Sequence, residues 1–178
     1  MLLAECFSHC PKCGSAALQS RKAKSFDCPD CGFHFYLNPA VAAAALIVSN
    51  RRPGEVLFVR RAKDPGKGRL GLIGGFVDSG ETIEQAVERE VKEELGLKVA
   101  EATYFASFPN EYPFRGVSYP VADVFFLVRV LTEDFRLQRE EVTEATWLAV
   151  PEMDLNDLAF PSMRKAVALY RDKLAEVE

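Results

Sequence analysis

Residues 75–97 read GFVDSGETIEQAVEREVKEELGL, and their pattern decides the architecture. Thr82 followed three residues later by Gln85 is a capping box, and Gly96 supplies a left-handed stop, so the spacing predicts a helix over about 82–95. On that helix Ile83, Val87 and Val91 share one stripe with Ala86 beside it, the side that faces a core. Glu90 and Glu94 fall on the same side, with Glu93 at its edge. Half-buried carboxylates repel one another and lose hydration, so this side needs a cation opposite it. Several oxygen ligands in one place suit a hard divalent ion, magnesium or manganese, of the kind that keeps waters and bridges substrate phosphates. Glu84, Glu88 and Lys92 lie on the outer face and read as solvated.

The segment resembles the signature of the Nudix hydrolases, GX5EX7REUXEEXGU with U a bulky aliphatic. Gly75, Glu81, Arg89, Glu90, Glu93, Glu94 and Gly96 match, with Val91 and Leu97 as the aliphatic pair. The resemblance implies an α+β fold, the Nudix αβα sandwich with a mixed sheet. It also implies a loop-helix-loop site. There Glu90 and Glu94 ligate Mg2+ or Mn2+, Glu93 assists, Gly74 lends a backbone carbonyl, Arg89 orients its neighbouring glutamate and Glu81 braces the loop. The implied reaction is attack of water on a diphosphate that links a nucleoside to another group, and the choice of general base among Glu90, Glu93 and a later residue stays open.

Cys10-Pro11-Lys12-Cys13-Gly14 and Cys28-Pro29-Asp30-Cys31-Gly32 are two CPxCG knuckles. Four thiolates at this spacing satisfy tetrahedral zinc, and each glycine lets the chain turn back so that backbone amides face sulfur. A structural Zn2+ held by Cys10, Cys13, Cys28 and Cys31 is therefore expected, in a small zinc ribbon preceding the larger domain. Disulfides would require a secreted chain, and Met1–Phe7 lacks the charged lead and cleavage site of a secretory signal, so the expected location is cytoplasmic. Cys6 is left over, and His9 and His34 adjoin a ligand set that is already complete.

The chain has 178 residues, 48% of them hydrophobic, enough for one good core plus a metal-held appendage. The expected division is a ribbon over 1–37 and a Nudix hydrolase domain over 38–178. The most apolar run, Val41–Val48, is far short of the roughly 20 residues that span a bilayer, so no membrane partner is expected. Arg21, Lys22 and Lys24 form a small basic cluster between the knuckles, but Asp27 and Asp30 follow it and the net charge is -4. Phosphate contacts carry most nucleic-acid affinity, so this balance argues against a nucleic-acid partner. A structural or homodimer-forming ribbon and a small nucleotide substrate are expected instead.

Val41–Ser49 reads as a buried strand, 50–54 as a turn, and Glu55–Arg61 as the hairpin partner of that strand. A basic loop over 63–69 leads to a strand over 70–77, and Arg60, Arg61, Lys63, Lys67 and Arg69 read mainly as solvated, with one or two able to face phosphates. Further strands are expected over 98–107, 121–131 and 145–149. Ser162 reads as the cap of a final helix whose core stripe is Met163, Ala166, Val167 and Tyr170.

The ribbon, its place before the larger domain, and the run Glu140-Glu141-Val142-Thr143-Glu144-Ala145-Thr146-Trp147 together resemble the zinc-containing NADH pyrophosphatase branch of the Nudix enzymes. That resemblance implies that Glu141, six residues before the tryptophan, reaches the metal, and that Tyr36, five beyond the last zinc cysteine, contacts nucleotide. The branch carries SQPWPFPxS downstream of its catalytic helix. Residues 107–118, SFPNEYPFRGVS, keep serine, proline and aromatic character but lack the tryptophan and are spaced more widely. Phe108, Tyr112 and Phe114 offer faces on which a base can stack, and Phe76 joins them as a substrate-binding candidate. The expected activity is divalent-metal-dependent cleavage of an NADH- or NAD-type dinucleotide, or of ADP-ribose, to two monophosphates. Hydrolysis of nucleoside triphosphates or nucleotide sugars, and nucleotide sensing without catalysis, are the alternatives.

Overall fold

In the computed structural model, which describes residues 1–22, 24–138 and 140–176, the knuckle region forms a small antiparallel sheet of Gln19–Arg21 (β1), Ser25–Asp27 (β2) and His34–Tyr36 (β3). Phe26 and Phe35 are cross-strand partners, and Phe7 packs against both at 5.2 and 5.7 Å between ring centroids. Phe33 stacks on Phe35 at 6.3 Å, and a cluster of a few rings is too small a core to hold a fold by itself. Met1–Ala40 make up one compact unit together with Glu111–Val121; the other holds Val41–Asn110 and the described residues from Ala122 on.

The remaining elements are Ala40–Ile47 (β4), Glu55–Arg61 (β5), Leu70–Gly71 (β6), Ile73–Phe76 (β7), the helix Ile83–Leu95 (α1), Val99–Phe114 (β8), Val117–Val130 (β9), Val142–Ala149 (β10) and the helix Pro161–Ala175 (α2), all in the larger unit except Ala40 and the parts of β8 and β9 that fall within 111–121. One sheet runs in the order β7-β4-β9-β8 and a second in the order β10-β5-β6. Side chains alternate across β9. Phe126, Val128 and Val130 enter the core with Ala86, Val87, Val91 and Leu95 of α1, whereas Asp123 accepts a hydrogen bond from Ser162 Oγ of α2. The sheet thus lies between two helices, the α+β sandwich expected.

Several details differ from the sequence reading. β5 is not the hairpin partner of β4: beyond one bridge between Val48 and Val56, it pairs with β10 and β6. The reason is that both edges of β4 are taken, by β7 and β9. The strand expected over 70–77 is split at Leu72, with its two halves in different sheets. β8 and β9 run longer than expected, because Pro109 and Pro113 lie on an edge strand, where a missing N–H is tolerated. Arg115 and Gly116, at φ 48° and 82°, close the hairpin with the left-handed backbone of a two-residue turn. Ser162 does not cap α2. The helix starts at Pro161 after Phe160, and Ser162, fully buried, spends its hydroxyl on Asp123.

Candidate active site

Helix α1 forms where the pattern places it. Thr82 Oγ1 accepts from Gln85 N, Gln85 Oε1 accepts from Thr82 N, and Gly96 closes the helix at φ 67° with its N–H on Lys92 O. Its buried face carries Ala86, Val87, Val91 and Leu95, and between them Glu90 and Glu94, only 8% and 5% exposed. Two carboxylates can lie this deep because β7 presents no side chain to them. A Cβ on Gly75 would stand 2.3 Å from Glu90 Oε1, and one on Gly74, at φ 150°, would strike Ala43 O of β4 at 2.1 Å. Gly75→Ala is therefore expected to leave the fold intact, since only the end of a flexible side chain must move. It should lower turnover about a hundredfold by displacing Glu90, checked by steady-state kinetics beside a circular dichroism melt.

Arg89 organises the acidic groups around it. Its guanidinium donates to Glu81 through Nε and Nη2 at 3.1 and 2.7 Å, to Glu90 Oε1 at 2.7 Å, to Glu93 Oε2 at 3.2 Å and to the carbonyl of Phe76 at 3.0 Å. Glu81 Oε1 also accepts from Asp78 N at 2.7 Å, tying the loop before α1 to the helix. The Arg89 hydrogen bond, with the Asp78 amide, holds the Glu81 carboxyl below the usual carboxylate range. Arg89 is itself held in its charged form, chiefly by Glu81. Glu93 is half exposed at the edge of the group.

Glu141 arrives from a distant part of the chain. The carbonyls left over at the end of α1 are capped by the segment before β10: Gln138 N–H donates to Glu94 O at 2.9 Å and Arg136 N–H to Leu95 O at 2.8 Å. That docking brings carboxylate oxygens of Glu90, Glu94 and Glu141 within 4.8 Å of one another. Burial, then the charges of Glu90 and Glu141, push the Glu94 carboxyl up to about 8 against a backbone hydrogen bond from Gly74 and the charge of Arg61. Burial likewise raises Glu90, although Arg89 opposes it. Glu94 Oε2 is buried without a hydrogen-bond partner. Converging acids with an orphaned oxygen are what a hard divalent cation would satisfy, so the donor set fits magnesium or manganese.

The charge of Arg61 on Glu94 was hidden among the basic residues of 60–69 in the sequence. The ladder explains it: Arg61 pairs with Val142, the residue after Glu141, a register that composition cannot supply.

In the smaller unit the knuckles bring the four cysteines together. Cys10 and Cys31 Sγ lie 3.7 Å apart, as do Cys13 and Cys28, and all four fall within 4.8 Å. Sulfurs bound tetrahedrally at zinc distances sit about 3.7 Å from one another, so the spacing fits one Zn2+. Gly14 and Gly32, at φ 77° and 68°, turn their N–H groups back to Cys10 O and Cys28 O. The thiols conflict without a cation. Cys10 is drawn down to about 7, where hydrogen bonds from Cys13 and Lys12 outweigh burial. Cys13 is pushed up to about 12 by its neighbouring thiols and burial, against a backbone hydrogen bond from Ser15.

The aromatic candidates are distributed over both units. In the smaller, Tyr36 is exposed and meets His34 edge-on at 4.4 Å, and Tyr112 packs 6.4 Å from Phe114, over which Arg115 lies. In the larger, Phe76 is 40% exposed directly after the Gly-Gly pair, while Phe108 is half-buried against Phe125 with Lys165 above its ring.

Residues 38–170 match the family model described as NUDIX domain, about three quarters of the chain. The chain belongs to the Nudix family. Among curated Nudix relatives, the NAD-capped RNA hydrolase NudC of Haemophilus influenzae (strain PittGG) is 34% identical over 142 residues, 79% of this chain and 50% of that protein. The chain thus spans about half the length of the curated relatives it matches. Among solved Nudix structures, the MutT NUDIX hydrolase from Burkholderia pseudomallei shares 29% identity at a TM-score of 0.58, covering 66% of this chain and 88% of that one. The NUDIX hydrolase from Nitrosomonas europaea, at 24% identity, shares the fold with a TM-score of 0.72 over 96% of this chain and 92% of its own.

Proposed function

We propose that this chain is a divalent-metal-dependent pyrophosphohydrolase that cleaves the diphosphate of an NADH- or NAD-type dinucleotide, or of ADP-ribose, into two monophosphates. The observation that carries the reading is the convergence of Glu90, Glu94 and Glu141 around the unpartnered Oε2 of Glu94. Glu90, Glu94 and Glu141, with the Gly74 carbonyl, are the groups that would hold Mg2+ or Mn2+, which when bound would neutralise phosphoryl oxygens and lower the pKa of a water. Arg89 fixes the direction of Glu90 through its charged hydrogen bond, and Glu81 fixes Arg89. Glu93, outside the ligand set, is the carboxylate left to accept the proton of the attacking water. Water adds to one phosphorus as the bridging P–O bond breaks, and the bridging oxygen leaves with the other phosphate. Phe76 and Phe108 of the larger unit are proposed as base-contacting residues, and Tyr36, Tyr112 and Phe114 of the smaller unit are, each taken within its own unit, further aromatic candidates. Residues 1–37 act as a structural zinc ribbon on Cys10, Cys13, Cys28 and Cys31, and residues 38–178 as the hydrolase domain.

The similar NudC proteins carry a name that puts the same diphosphate at the end of an RNA. The test is a panel of NADH, NAD, ADP-ribose, FAD, sugar nucleotides, nucleoside triphosphates and an NAD-capped oligonucleotide with magnesium, products separated by chromatography. The dinucleotides or ADP-ribose are expected to turn over at least about tenfold better than triphosphates, a difference of about 1.4 kcal/mol in the barrier. Preferred hydrolysis of triphosphates or sugar nucleotides would overturn the substrate assignment, and no hydrolysis of any member would overturn the enzymatic one.

A further inference from the structure

Lys63 lies outside the Nudix signature, yet it stands at the mouth of the acidic group. Its Nζ is 3.6 Å from Glu141 Oε1, and Glu141 is one of the three carboxylates gathered within 4.8 Å. The pairing is built into the backbone, because the N–H of the preceding Ala62 donates to Glu141 O at 2.9 Å. The arginines beside it are committed to shaping their loops. Arg61 donates to Pro65 O at 2.8 Å and lies over the Phe160 ring, Arg60 donates to Gly68 O and Glu144, and Arg69 donates to Asn156 O. Lys63 is different: its side chain is 63% exposed, and its pair with the half-exposed Glu141 is of the kind that costs little to break.

The geometry points to Lys63 as a phosphate-positioning residue that exchanges partners during the catalytic cycle. Its ammonium pairs with the Glu141 carboxylate here, and where Glu141 would hold a divalent ion that ammonium would be released to a non-bridging oxygen of the substrate diphosphate. Charge drives the exchange. A carboxylate bound to a divalent cation attracts an ammonium weakly, whereas a phosphate brought alongside presents a fresh negative charge. A lysine suits this role better than an arginine, being a compact charge on a flexible stem with three rotatable donors. This inference rests on the metal-dependent hydrolysis proposed above and deepens it at the substrate's phosphate.

The test is Lys63→Met in the zinc-loaded chain of 178 residues, with two readouts that move in opposite directions. Mn2+ binding without substrate, followed by electron paramagnetic resonance, is expected to tighten about threefold as a competing cation is removed. The KM for the preferred dinucleotide is expected to rise about tenfold with kcat little changed, as for a lost charge-assisted hydrogen bond made in both ground and transition states. Lys63→Arg should recover most of the KM, and Lys98→Gln, which removes an exposed lysine elsewhere, should alter neither readout. A residue that merely supports its loop would weaken both kinds of binding. Should Lys63→Met match the wild type in either Mn2+ affinity or KM while the wild type binds Mn2+ and turns over, this inference falls alone. A wild type that neither binds Mn2+ nor hydrolyses any dinucleotide overturns it together with the proposed function.

Discussion

Replacing Glu94 by glutamine is expected to lower turnover about a thousandfold, roughly 4 kcal/mol of transition-state stabilisation, while making the metal-free protein more stable above neutral pH. Both effects follow from burying one carboxylate among two others. With its ordinary value near 4.5 in the unfolded chain and about 8 when folded, Glu94 holds its proton more tightly in the folded state. Folded protein therefore carries more protons than unfolded between those two values, and stability falls as pH rises through that window. Above it the folded chain bears a buried charge that the unfolded chain exposes to water. Glutamine has nearly the same shape and no proton to lose, so this part of the pH dependence should vanish. Its amide lacks the charge that a divalent ion requires, so turnover should fall by that thousandfold. The measurement is a pair of calorimetric melting curves across about pH 6 to 9 in magnesium-free buffer and with magnesium added, beside steady-state rates. Added magnesium should recover the stability of the wild type at the alkaline end and leave the variant unmoved. Wild-type turnover in Glu94→Gln, or identical pH profiles for the two proteins, would sink the assignment.

The acidic face of α1 was legible in the sequence because its causes are local. The Thr82–Gln85 box, the Gly96 stop and the spacing of Glu90 and Glu94 all act within a few turns of one helix. The knuckle turns were legible for the same reason, each glycine acting on a carbonyl of its own knuckle. What failed was pairing at a distance. Nothing within Glu55–Arg61 says that Trp147 rather than β4 lies beside Leu57, since both neighbours are apolar and extended. Ser162 misled because serine before a helical stripe ordinarily caps it, and only the fold places Asp123 within reach. Only the resemblance points to Glu141 in the sequence; what gathers it with Glu90 and Glu94, the docking of the segment before β10 onto the last carbonyls of α1, is tertiary.

The smaller unit should depend on its metal far more than on its side chains. Its aromatic cluster of Phe7, Phe26, Phe33 and Phe35 is only a few rings, whereas a structural zinc in comparably small domains contributes about 10–16 kcal/mol of apparent binding free energy that is available only on folding. Cys28→Ser exchanges a buried thiol, one of the four proposed zinc ligands, for a hydroxyl that binds zinc poorly, leaving three thiols at the site. One zinc per wild-type chain is expected by elemental analysis, and a large loss of it in Cys28→Ser. Hydrogen exchange on the full chain reads the structural consequence. The amides of Cys10, Gly14, Cys28 and Gly32, which close the two knuckles on Ser15 O, Cys10 O, Phe33 O and Cys28 O, should lose about a hundredfold or more of their protection in the variant. The amides of α1, whose neighbours Val87, Val91 and Leu95 are fully buried in a separate core, should keep theirs. Protection in the knuckles that survives complete removal of zinc would mean that Phe7, Phe26, Phe33 and Phe35 suffice, and that the four thiols converge for some reason other than a metal.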